Sequence, residues 1–159
     1  HIQDIKKKFK IPVLAKDFFI DPYQIALAKS YGCDCILIII AALDKKLADE
    51  IYAEALKHSL SVIVEVHNKK EAEVALDYDQ ALIGINNRNL KTFEVSLSTT
   101  KNLAKLVPLD YTLVSESGIF SNADLLQLSK FGARSFLIGE SLMREENVKK
   151  ATAELLGRT

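Results

Sequence analysis

The chain has no tryptophan, one methionine, two cysteines, three prolines and six glycines in 159 residues. Nor does either charge predominate: 21 Lys and Arg stand against 21 Asp and Glu, a formal net charge of zero. A neutral chain lacks the basic excess on which general binders of nucleic acid or anionic membrane rely, so neither partner is expected. There is no uninterrupted apolar run of roughly 18 residues, so nothing reads as a membrane-spanning helix. The start, His1 to Lys10, is basic and has no long apolar stretch, unlike a secretion signal. Cys33 and Cys35 lie one residue apart, which is neither a disulfide framework nor a zinc site. A reducing, cytoplasmic setting is expected. Residue 1 is His and the only methionine is Met143, so a longer parent protein is expected.

What is present is an ordinary globular balance. Apolar residues make up 48% and charged residues 26%, enough for one core and a solvated surface. The length suits a single domain over 1–159. Short β-branched runs recur about every 25 residues. They are Pro12 to Ala15, Cys35 to Ile40, Ser61 to Val66, Ala81 to Ile85, Tyr111 to Val114 and Ser135 to Ile138. Segments with helical periodicity separate them, such as Leu47, Ile51 and Ala55. Strands alternating with helices predict a parallel sheet covered by helices.

Helix starts are marked by capping residues. Asp21-Pro22-Tyr23-Gln24 and Asn68-Lys69-Lys70-Glu71 have the form of caps, and Ser121-Asn122-Ala123-Asp124 is a weaker version. Ile20 with Ile25, and Phe120 with Leu125, are candidate hydrophobic staples. Gly32 and Gly132 follow helices, where a left-handed residue is wanted. Six βα units suit an open sheet or part of an eight-unit barrel. A doubly wound sheet would carry a glycine-rich phosphate loop after its first strand, and none is present.

The informative anomaly lies where the strands end. Strands buried on both faces should be apolar. Here they run into Lys16-Asp17, Glu65, Asn86-Asn87-Arg88, Glu116-Ser117-Gly118 and Gly139-Glu140-Ser141. Carboxyl ends of parallel strands converge on one face, so Lys16, Glu65, Asn86, Arg88, Glu116 and Ser117 are expected in one pocket. A lysine among glutamates divides acid and base roles. Gly118 and Gly139, at strand-to-helix turns, suit an anion held by backbone N–H groups. The plainer readings are a strand-capping lysine, an internal ion pair for Glu65, a helix-side carboxylate for Glu116, turn asparagines and turn glycines. His58 reads as a helix-end residue, His67 as a turn residue, and Lys6-Lys7-Lys8 as a solvated helix end. The apolar end Ile38 to Ala41 suits an aromatic ring.

With these residues in place, the sequence resembles indole-3-glycerol-phosphate synthase. The matching motifs are Pro12 to Phe18, Asp21 to Ile25, Val64-Glu65-Val66, Ile83 to Phe93, Val114 to Ile119 and Leu137 to Met143. The resemblance implies an α/β (βα)8 TIM barrel, of which this chain covers about strands 3 to 8. It implies a carboxy-lyase that closes the ring of 1-(2-carboxyphenylamino)-1-deoxyribulose 5-phosphate, releasing CO2 and water to give indole-3-glycerol phosphate. No metal or organic cofactor is implied.

Under the resemblance, Lys16 is the acid that protonates the substrate carbonyl. Glu65 stabilises developing positive charge or assists proton transfer. Asn86 binds hydroxyls and orients the catalytic groups, Arg88 steers the anionic substrate, and Glu116 and Ser117 make further polar contacts. Gly118, Gly139 and Glu140 line up with phosphate-binding backbone positions; many relatives have Ser at the last. The family's Glu-x-Lys and Ser-Pro-Ser motifs are not in these 159 residues. The segment alone is therefore expected to be inactive and to self-associate through open strand edges. The full protein is expected to be a monomer or fused to another tryptophan-pathway domain. Other readings are a phosphate-binding barrel such as phosphoribosylanthranilate isomerase, and a non-catalytic association module.

Overall fold

The computed structural model describes residues 1–158. Six strands form one parallel sheet: β1 (Leu14–Ala15), β2 (Cys35–Ile39), β3 (Ser61–Val66), β4 (Leu82–Asn86), β5 (Leu113–Glu116) and β6 (Ser135–Leu137). The helices are α1 (Ile2–Lys8), α2 (Tyr23–Ser30), α3 (Lys45–Lys57), α4 (Lys69–Ala75), α5 (Ser98–Leu103), α6 (Asn122–Lys130), α7 (Glu140–Met143) and α8 (Val148–Leu155). Each strand pairs with the next in sequence, in the order β1-β2-β3-β4-β5-β6. The winding never reverses, so right-handed crossovers place every helix on the same side.

The burial pattern shows that side. Ile36, Ile38, Val62, Val64, Val66, Ile83 and Ile85 are fully buried in the main core with Ile25, Ile51, Ala55, Ala75 and Leu128 of the helices. Each of these large strand side chains contributes about 1.5–3 kcal/mol by leaving water. The alternate residues face the other way. Leu37, Ile39 and Ile63 form a second cluster with Leu14, Cys35 and Leu82, all from strands. A sheet with helices on one face alone covers the other by curling on itself. The result is a six-stranded arc of a (βα)8 barrel, with β1 and β6 each paired to one strand.

Local chemistry sets the helix starts. Asp44 accepts from the Leu47 N–H at 2.8 Å and opens α3. Asp21 accepts from the Tyr23 N–H at 2.8 Å ahead of α2. At α6 the cap that looked weaker is the complete reciprocal box: Ser121 accepts from the Asp124 N–H, and Asp124 accepts from the Ser121 N–H at 2.9 Å. Neither staple forms, because Ile20 and Phe120 are 62% and 65% exposed. Lys6 is not purely solvated; it donates to Asp34 at 2.8 Å and ties α1 to the turn before β2.

Two strand ends differ from the sequence reading in a consequential way. β4 continues through Asn86 and β5 through Glu116, whereas β2 stops at Ile39. The polar groups of β4 and β5 are thus ladder residues fixed by sheet register, not loop residues.

Candidate active site

Inward-facing positions at the carboxyl ends of β3, β4 and β5 carry Glu65, Asn86 and Glu116. Register pairs Glu65 with Gly84 and Asn86 with Glu116. Lys16 follows β1 directly and reaches across the arc. Its Nζ donates to Glu65 Oε2 at 3.2 Å and to Glu116 Oε2 at 3.3 Å. Asn86 Nδ2 donates to Glu65 Oε1 at 3.0 Å. Both glutamates are 1% exposed, while the Lys16 side chain is half exposed at the mouth.

Glycine makes room for the second acid. A Cβ at Gly84 would overlap Glu116 Oε1 and come within 2.9 Å of Ile63 Cγ2. Glu116 Oε1 is itself buried without a hydrogen-bond partner. Burial, and then the negative charge of Glu65, push the Glu116 carboxyl up to about 7. Burial also pushes Glu65 up, but His67, Asn86 and Lys16 outweigh it and hold Glu65 well below the usual carboxylate range. Two neighbouring carboxyls with opposite shifts can act as a base and an acid at one pH.

Arg88 stands beside this cluster. Its backbone N–H donates to Asn86 Oδ1 at 3.0 Å, and its guanidinium pairs with the Glu140 carboxylate, which also binds Arg144. Ser117 is not among the hydrogen-bonded acids. It lines an adjacent cleft of about 250 Å³ with Lys16, Arg88, Glu116, Gly118, Gly139 and Glu140. Ser117 and Gly118 both have positive φ, 65° and 74°, and a Cβ at 118 would overlap Val95 Cγ1. That turn therefore requires glycine. Glu140 lines the same cleft, and its carboxylate is held there by Arg88 and Arg144.

Two residues exceed their sequence reading. Asn87 is buried, not a simple turn residue. Its Nδ2 donates to Ser115 Oγ and to the Glu116 and Ser117 carbonyls at 3.0–3.1 Å, and its Oδ1 accepts from Thr100. It clamps the end of β4 to the end of β5. His67 does lie in the turn between β3 and α4, but it is half-buried and partnered. Its ring lies between Glu65 and Glu71, at 3.2 and 3.1 Å. The signal was strand parity, since 65 and 67 point the same way along an extended chain. On β2, Ile39 and Leu37 line the cleft with Lys16 and Glu65, while Ile38 packs against the helices. Cys35 opens β2 at the far end of the strand, its thiol pushed by burial to about 11. Among the described residues, no three His, Cys, Asp or Glu side chains form a metal-binding group. No helix among them is long and apolar enough to cross a membrane.

The family model described as indole-3-glycerol phosphate synthase matches residues 1–155. The chain belongs to the indole-3-glycerol phosphate synthase family. Among relatives bearing that family name, the one from Azospirillum brasilense is 54% identical over 146 residues, covering 92% of this chain and 56% of its own. One from Polynucleobacter asymbioticus is 49% identical over 155 residues, covering 98% and 58%. The chain thus spans somewhat over half the length of these family members. Solved structures agree on the fold. A tryptophan synthase alpha-subunit from Pyrococcus furiosus superposes with a TM-score of 0.78 at 19% identity, covering 98% of this chain and 70% of its own. The chain of a structure described as native KDPGal gives 0.68 at 18% identity.

Proposed function

We propose that this chain supplies the acid–base centre of an indole-3-glycerol phosphate synthase acting on 1-(2-carboxyphenylamino)-1-deoxyribulose 5-phosphate. One observation carries the reading: a half-exposed ammonium bridging two buried carboxyls brought from 49 and 100 residues away. The Lys16 ammonium protonates the substrate carbonyl oxygen while the ring carbon bearing the carboxylate attacks the carbonyl carbon. The intermediate carries positive charge, and the buried Glu65 carboxylate stabilises it. Loss of CO2 restores aromaticity. The new hydroxyl then leaves as water with a proton from the acid side, while Glu65 or Glu116 accepts the proton that the ring gives up.

The rest of the cleft fits the substrate's other parts. Ile39 offers an apolar wall for the aromatic ring, and Asn86 a donor for hydroxyls. The cleft walled by Ser117, Gly118 and Gly139, with Arg88 at its edge, suits the phosphate. Binding energy from the phosphate holds the flexible sugar chain in a reactive conformation. The reading includes a cytoplasmic enzyme without a metal or organic cofactor.

Lys16→Ala tests the proposal. In the enzyme with a closed barrel it is expected to lower kcat about 10³-fold, with far-ultraviolet circular dichroism unchanged. Retained turnover would refute the role of Lys16. In the 159-residue chain the sheet is open at β1 and β6, so turnover is expected to be very weak and the protein to self-associate. Sedimentation and a turnover assay on the same sample check both points.

A further inference from the structure

The cluster at the carboxyl ends holds a histidine that the proposed chemistry does not use. His67 Nδ1 lies 3.1 Å from Glu71 Oε2, and the His67 backbone N–H donates to that same oxygen at 2.7 Å. Nε2 lies 3.2 Å from Glu65 Oε1, within ion-pair range but off the line of a directed hydrogen bond. Glu71 is fixed in turn by Asn68 at the start of α4. A neutral imidazole has one bare ring nitrogen, and here that nitrogen would face a carboxylate whichever tautomer formed. Only the imidazolium gives each carboxylate a proton to meet.

We propose that His67 is a positioning residue whose imidazolium keeps Glu65 ionised, so that the exchangeable proton of the carboxyl pair resides on Glu116. A charge count supports this. The cluster, with Glu65 and Glu116 at its buried centre, holds three carboxyls, Glu65, Glu71 and Glu116, against two cations, Lys16 and His67. One proton on a carboxyl makes the set neutral, and the three acids differ in what would replace it. Glu65 is approached by Lys16, Asn86 and His67; Glu71 by His67 and Asn68; Glu116 by Lys16 alone, with Oε1 unpartnered. The proton belongs on the acid with fewest donors. The other ionisable groups lining the cleft at His67 are Arg88, Lys91 and Glu94, and Arg88 is engaged by Glu140. Burial opposes a charge on His67, but Glu65 and Glu71 outweigh it and push the ring up to about 9.

The consequence for turnover rests on the proposed function, but the protonation pattern does not. The test therefore reads protons first. Glutamate carboxyl carbons are followed by 13C NMR from about pH 1 to pH 9, within the range where each protein stays folded, in the wild type, His67→Gln and Glu71→Gln. Loss of the imidazolium in His67→Gln is expected to make Glu65 at least about tenfold weaker as an acid and Glu116 correspondingly stronger. Glu71→Gln, which leaves the ring in place but removes one of its two carboxylates, is expected to move both in the same directions by less. Carboxyl titrations unchanged in either folded variant overturn the proposal, even if its melting temperature falls. In the active enzyme, the pH profile of kcat is expected to move with these titrations, with KM within about twofold. If the carboxyls move and the closed-barrel enzyme does not turn over the proposed substrate, the assigned reaction fails while the role of His67 stands.

Discussion

Val64 and Glu65 are neighbours on β3, both out of contact with bulk water, and their surroundings differ in kind. Val64 faces the helices, in a layer built of Ile, Val, Leu and Ala. Glu65 faces the inside of the arc, among a lysine, an asparagine, a histidine and a second glutamate. One face of the sheet collects dispersion and burial, while the other, at its carboxyl end, concentrates groups that cost stability to bury. The pleat permits this division because a step of one residue changes the environment completely. Stability and chemistry are therefore separable by mutation, strand by strand.

The sharpest way to break the contrast is Glu65→Gln. It is expected to lower kcat about 10³-fold, roughly 4 kcal/mol of transition-state stabilisation, with no comparable loss of melting temperature. Ile83→Ala, on the opposite face of β4, should reverse the pattern. A loss of about 2–5 kcal/mol in denaturant unfolding is expected, with kcat kept in the folded fraction. Glu116→Gln should separate the two properties in sign. The Glu116 carboxyl is raised from 4.5 to about 7 in the fold, so the folded state holds that proton more tightly than the unfolded chain. Its contribution to stability is present below about 4.5 and is lost as pH climbs to about 7. The glutamine variant should thus gain stability over the wild type across that window, on the order of 3 kcal/mol by neutral pH, while turning over slowly. A gain that shrinks with rising pH would contradict the buried, poorly partnered acid. Smallest is Glu140→Ser. Freeing Arg88 from an exposed ion pair should lower KM, or the Kd of inorganic phosphate, by up to about fivefold.

Much of this contrast was legible in the residues. The βα rhythm, the six strands and the polar strand ends follow from local periodicity and from the rule that parallel strands share one functional rim. What stayed hidden is what depends on registers and distances across the sheet. Asn86 and Glu116 lie within the ladder because β4 and β5 pair further than their apolar runs suggest. Asn87 looked like half of a turn, yet its partners Thr100, Ser115 and Glu116 lie 13 to 29 residues away. His67 is a turn residue, as the sequence suggests, but a histidine after a strand and before a cap resembles ordinary punctuation and gives no sign of its partners. Its meaning comes from having a carboxylate on either side. Hydrophobic staples were overread for the opposite reason: the pattern exists at Ile20 and Phe120, but both side chains turn to solvent.

The empty place on β4 has a consequence for how such a molecule can change. Position 84 holds no side chain, and the oxygen of Glu116 occupies the room that leaves. The two positions behave as one heritable unit. A library randomised at 84 alone should return glycine and little else. One randomised at 84 and 116 together should return many well-folded, silent proteins, in which a methyl group or larger has evicted the acid. A better-filled barrel wall without the activity is thus reached only when both positions change, and recovery requires reopening the gap before the acid can return.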